Sequence, residues 1–258
     1  LLAAAAFTMS RLPRFGSHAR PLFLVACIVA AIGAAYHGHT IFNLILPSHG
    51  FDLTIGNALA MIGLELAVIA LLASIEPTLR GMSGGLLLLA AFSVVLMGPS
   101  AAEHDAVAIS WQVRAHVLIA LLSYGLLTVG AIVAVFALVQ ERRLQAAKLS
   151  STNQLFAPLE TTERLLFSVA AVGFAGLTLT IASGSTFVID LMEQHLAHKF
   201  GLSLLAWLVF GILLAGRFFR GWRGKRAVEL YLGGFVLLCL AYFGSRVILE
   251  EILNRTWS

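Results

Sequence analysis

Imidazole ligates metals and carries protons near neutral pH, and eight histidines are spread along 258 residues of otherwise strongly apolar chain. Four of them, His18, His49, His104 and His195, stand in short polar stretches and read as solvated loop residues. His116 and His198 differ. His116 immediately precedes the apolar run 117–139, and His198 stands two residues before the run that opens at Phe200. The two rings therefore begin two spans at matching depth. If those spans are neighbours, the rings face one another across a slot near the membrane surface. Ligation of a haem iron by two imidazoles needs that arrangement, with two neutral nitrogens on opposite faces of a flat macrocycle. Ala120, Ser123 and Tyr124 follow His116 on its helix face, and Gly201 follows His198 by one turn, leaving room for a ring. Spacing alone leaves a second reading open, in which each histidine merely anchors a helix end at the interface. Arg114 and Lys199 flank the pair. They either meet the propionates of a haem or snorkel to lipid phosphates.

Two further histidines, His37 and His39, fall inside an apolar run, roughly 10–14 Å below its end at 1.5 Å per residue. Polar groups at such depth face a bundle interior or a cavity. Two residues apart, they point in different directions, and His37 is the one favoured to face inward. Glu65, also deep, has to be paired or neutral and stands where it could reach the histidine of the preceding span.

The elements that must position these groups follow from composition. The chain is 59% hydrophobic and only 12% charged, about half the charge of a soluble domain. Its apolar runs of about 20 residues match the length a helix needs to cross a hydrocarbon core, whereas barrel strands need only about ten. The expected fold is all-α, a polytopic transmembrane bundle of about eight spans forming a single membrane domain over 1–258. The spans are expected at 1–9 (partial), 21–46, 54–75, 83–98, 111–139, 164–189, 200–218 and 228–249. The odd-numbered connections carry Arg11, Arg14 and Arg20; Arg80; Arg142, Arg143 and Lys148; and Arg217 through Arg226. The even-numbered ones carry Asp52; Glu103, Asp105 and Arg114; and Asp190, Glu193 and Lys199, so that Arg114 and Lys199 break the pattern. This asymmetry puts the odd loops in the cytoplasm and both termini outside. The net charge of +4 is thus accounted for by topology, and the lipid bilayer rather than nucleic acid is the expected partner. The two cysteines, Cys27 and Cys239, lie inside spans and form no C-x-x-C pair. Small residues such as Gly125, Gly130, Gly173, Gly176, Gly233 and Gly234 allow close helix packing.

Three segments carry a family resemblance. They are RAHVLIALLSYGLL at 114–127, PLETTERLLF at 158–167, and HLAHKFGLSLLAWLVFG followed by GWRGKRA and AYFGS between 195 and 245. They resemble the YpjD/HemX-like branch of the CcsA/CcmC cytochrome c assembly family over roughly 110–254. The N-terminal third, with an intramembrane histidine followed by GFDL and NAL at 50–59, is similar more loosely. The resemblance implies a bacterial inner-membrane protein that binds b-type haem through His116 and His198 as axial ligands at the outer face. It maps a further haem-binding histidine of an early span to His37 rather than His39. It implies haem and cytochrome-assembly or other membrane-complex subunits as partners, and a role in holding or passing haem rather than in catalysis. One departure matters: family members that deliver haem carry a tryptophan-rich W-W-D loop between the two histidines. Here the loop 190–199 is short and has no tryptophan. Two other classes remain, a quinone-linked electron-transfer cytochrome b and a non-haem accessory or transporter. The first needs a second histidine pair near the cytoplasmic ends, where only His18 stands. The second is favoured by broken, repeated half-bundles, whereas Pro21, Pro47 and Pro99 fall at span edges.

Overall fold

The structure, a computed structural model, describes residues 1–10, 19–45, 55–77, 79–95, 111–145, 159–187 and 197–244. Among them the fold is all-helical. Eight helices follow one another: α1 (Leu2–Ser10), α2 (Ala19–Ile45), α3 (Ile55–Ile75), α4 (Arg80–Val95), α5 (Trp111–Gln145), α6 (Leu159–Phe187), α7 (Ala197–Arg220) and α8 (Gly224–Cys239). α8 widens at its end into a π-helical turn, Leu240–Gly244. Five helices are long and apolar enough to cross a membrane, within α2, α3, α5, α6 and α7. In hydrocarbon a backbone must satisfy its own polar groups, which explains why apolar runs of this length fold as helices.

The expected spans are all present as helices, with shifted ends. α6 starts at Leu159 instead of 164, directly after Pro158. α7 starts at Ala197, so His198 lies within its first turn rather than ahead of it. α5 runs on to Gln145, about 50 Å of helix, and carries Arg142 and Arg143 in its last turn beyond the hydrocarbon. His18, His49, His104, His195, the outer loop 190–196 and the tail after Gly244 lie outside the described residues.

The described residues form two compact units. In the first, α1 to α4 pack together. Phe7 meets Phe23 edge-on at 5.6 Å, and the Arg80 guanidinium lies 4.1 Å over the Phe23 ring. Arg80 Nε also donates to the Ser74 carbonyl at 3.0 Å, fastening the α3–α4 corner. Cys27 Sγ and Ser74 Oγ approach to 3.9 Å between α2 and α3.

In the second unit, α5 to α8 share a core of Leu127, Phe210, Leu213, Tyr231 and Leu238, all essentially buried. Tyr231 of α8 donates its hydroxyl to the Leu127 carbonyl of α5 at 3.1 Å and meets Phe210 of α7 edge-on at 5.2 Å. Its hydroxyl occupies the space that a side chain at Gly130 would fill. α5 and α6 run antiparallel along a glycine seam. Gly173 faces Leu127, Gly176 faces Ser123, and Gly184 faces His116. Close approach through small residues substitutes here for the hydrophobic drive that lipid removes. At the opposite end, α7 stops at Gly221, whose φ of +64° suits glycine and few other residues. The indole of Trp222 folds back onto Gly216, and Arg217 donates to the Trp222 carbonyl at 3.3 Å. Buried Glu163 of α6 accepts the Gly224 amide at 2.7 Å, holding the start of α8.

Candidate cofactor site at the outer helix ends

The candidate site belongs to the second unit, at the end of α5, α6 and α7 remote from Arg142, Arg164 and Arg217. Two side-chain hydrogen bonds and a polar contact tie these helices together. His116 Nδ1 of α5 is 2.8 Å from Ser183 Oγ of α6. Trp207 Nε1 of α7 donates to Thr178 Oγ1 of α6 at 2.9 Å, while its ring stacks on Phe174 at 5.5 Å. Tyr124 of α5 has Ser203 of α7 as a polar neighbour. Each contact is local chemistry, yet together they fix where α7 begins relative to α5.

The consequence appears one turn above Ser203. Lys199 lies within coulombic range of His116, and its ammonium stands 5.4 Å over the Tyr242 ring. Tyr242 in turn packs against Tyr124 at 5.9 Å. Tyr242 belongs to the π-helical turn, a widening that often marks a functional position because it re-aims side chains. The first turn of α7, at Lys199, thus lies near His116 of α5. His198 is in the turn that Lys199 occupies, and its side chain lies outside the described residues. Gly201, one turn on, is exposed, and no described atom lies within 4 Å of where its Cβ would stand. Arg114 lies in the first turn of α5, half-buried.

His116 is half-buried, with Gly184 beneath it: a Cβ there would lie 3.2 Å from the ring Cε1. Ser183 and Gly184 went unremarked in the sequence. Their signal was present, since Gly184 follows Gly176 by eight residues, two turns on the same seam. Ser123, expected beside His116, instead faces Gly176, and only Tyr124 turns toward α7.

In the first unit the two intramembrane histidines separate as expected. His37 is buried, whereas His39 is exposed and bonds Asn43 at 2.9 Å. A Cβ at Gly38 would sit 3.6 Å from the Leu64 side chain, so His37 and Glu65 stand next to a shared α2–α3 contact. His37 Nε2 and Glu65 Oε2 are both buried without a hydrogen-bond partner. The direct bond between them that the sequence suggested is not formed through these atoms. Among the described residues, no three His, Cys, Asp or Glu side chains converge as a metal cage.

Long apolar helices packed side by side define a polytopic membrane protein. The chain belongs to the cytochrome c assembly protein family, whose model matches residues 16–253. It is similar to the inner membrane protein YpjD of Escherichia coli K12, with 36% identity over 137 residues, 53% of this chain and 52% of that protein. It is also similar to cytochrome c biogenesis protein CcsA of Guillardia theta, with 28% identity over 159 residues, 55% of this chain and 53% of that one. CcsA of Trichormus variabilis is 28% identical over 119 residues, 44% of this chain and 34% of that protein. The chain spans about half the length of the curated relatives it matches. No solved structure matches it. With its apolar helices and YpjD relatives, this is a multi-pass inner-membrane protein.

Proposed function

We propose that this protein binds haem at the outer end of its second unit, through His116 and His198, and holds or passes it during cytochrome c assembly. The observation that supports this reading is the pair of hydrogen bonds that ties α5 and α7 to α6, His116–Ser183 and Trp207–Thr178, with Lys199 of α7 and Tyr124 of α5 meeting on the Tyr242 ring. Haem iron asks for two axial ligands from separate elements rather than a cage of three or four side chains. The residues fit that demand: His116 has one nitrogen engaged by Ser183 and the other left for a ligand. Lys199 supplies a cation beside the site for a propionate, and Arg114 a second in the turn before His116. The haem would be b-type, held by ligation from the two imidazoles. Bound there, haem would supply a redox-active iron; the chain's own part is to orient His116 and to give the macrocycle a partly apolar, water-poor edge. His37, buried with its Nε2 unpartnered among the described residues, would be a second haem-contacting position within the first unit. The partners are haem, the bilayer, and cytochrome-assembly or other membrane-complex subunits.

The test is an absorption spectrum of protein purified in mild detergent from haem-replete bacterial cells. Wild type is expected to show a Soret band with low-spin, bis-histidine features. His116→Ala and His198→Ala are expected to lose it, and His39→Ala, altering an exposed residue, to keep it. Full haem content in the His116→Ala, His198→Ala double variant refutes the reading.

A further inference from the structure

Ser183 offers one hydroxyl proton and stands close to three groups. Its Oγ is 2.7 Å from the Leu179 carbonyl, 3.1 Å from the Thr180 carbonyl and 2.8 Å from His116 Nδ1. Carbonyl oxygens only accept, so a 2.7 Å approach is attractive only if the hydroxyl donates to it. Serines in apolar helices commonly make this bond to the preceding turn. With its proton committed to the backbone, Ser183 Oγ can meet His116 only as an acceptor. His116 Nδ1 must then be the protonated nitrogen, and Nε2 carries the lone pair. The alternative, a hydroxyl donating to Nδ1, would set oxygen lone pairs against the Leu179 carbonyl at 2.7 Å in a medium of low dielectric.

We infer that Ser183 is a positioning residue: it holds the His116 imidazole as the Nδ1–H tautomer, with Nε2 presented as the ligating nitrogen. Gly184 completes the device, because the ring lies against its backbone at a distance a Cβ would crowd. The helix that contributes no ligand thus selects which nitrogen of α5 is available. Its purpose rests on the haem reading, but the tautomer itself does not. A hydrogen bond of this kind fixes ring orientation and raises ligand basicity at metal sites, and its loss typically weakens binding 10- to 100-fold.

The experiment reads the two claims separately. Full-length, haem-free protein with 15N-labelled histidine is reconstituted in nanodiscs at a pH where His116 is neutral, and His116→Gln assigns its signals. Wild type is expected to show Nδ1 as the protonated nitrogen and Nε2 as the bare one. Ser183→Ala is expected to give a mixture of tautomers, while Ser183→Thr, which keeps a back-bonded hydroxyl, retains the wild-type pattern. A wild-type protein protonated at Nε2, or a Ser183→Ala variant with an unchanged pattern, overturns the inference. Iron protoporphyrin is then titrated into the same samples. Ser183→Ala is expected to bind at least about 10-fold more weakly than wild type, with Ser183→Thr close to wild type. The expected tautomer pattern in a protein that takes up no haem upholds the role of Ser183 and refutes the haem reading instead.

Discussion

The glycine seam between α5 and α6 permits a prediction whose sign differs from one glycine to another. At Gly176, an added Cβ would collide with Ser123 Oγ and stand 3.2 Å from Ser123 Cβ. Ser123 cannot simply swing away, because its hydroxyl is bonded to the Ile119 carbonyl at 2.6 Å and the residue is buried. Gly176→Ala must therefore break that bond, worth about 1 kcal/mol, or part the helices, an overpacking cost of about 1–3 kcal/mol. A loss of about 2 kcal/mol lowers the melting temperature of a chain this size by roughly 4–8 °C. Gly33 and Gly233 are helical glycines with nothing within 4 Å of the added atom. There alanine should stabilise by about 0.5–1 kcal/mol through helix propensity alone. The assay is thermal unfolding in one detergent, followed by fluorescence-detected size exclusion. Ser123→Ala in the Gly176→Ala background should restore part of the loss, because it removes the colliding oxygen and the bond at stake. Seam and control glycines responding alike, or no coupling between positions 123 and 176, would refute the packing described for this interface.

Two further outcomes follow from the cytoplasmic end. Glu163→Ala leaves the Gly224 amide without its acceptor and should cost about 1–3 kcal/mol, whereas Glu163→Gln retains an acceptor and should cost less than half as much in the same unfolding assay. Gly221→Ala places a Cβ in open space but in the left-handed region, so a loss of about 1–2 kcal/mol should arise from conformation alone, with Gly221→Asn milder.

The helices were legible because length and apolarity decide membrane spans almost without regard to tertiary context. Their ends were less so. The first turn of α7 contains His198 and Lys199, polar residues that fold as helix once the turn leaves the hydrocarbon, so an apolar run begins later than its helix. Equal depth of His116 and His198 could be read from the runs; the approach of Lys199 in α7 to His116 in α5 could not. It depends on contacts of Tyr124, Trp207 and Thr178, residues that in sequence look like ordinary interfacial or core positions. Glycines at 173 and 176 announced a close approach without naming what approaches. Tyr231 reaching across to Gly130 is likewise invisible from either residue. The inward turn of His37 agreed with the sequence reading, because residues two apart on a helix cannot share a face. Its unpartnered nitrogen could not be foreseen, since satisfaction depends on every neighbouring helix.

The α7–α8 connection has a consequence for how the outer site acquires its address. Only three residues separate the helices, so they can enter a bilayer only as an antiparallel hairpin. Its tip carries Arg217, Arg220, Arg223, Lys225 and Arg226. Carrying each through the hydrocarbon costs about 2.5 kcal/mol or more. Folding of Trp222 onto Gly216 and capture of Gly224 by Glu163 keep these charges together at one point instead of dispersing them along a flexible loop. An inverted hairpin would have to translocate the whole knot at once. The compartment that Lys199 and the first turn of α7 face is thus dictated from the far end of the helix, by the turn that carries these charges.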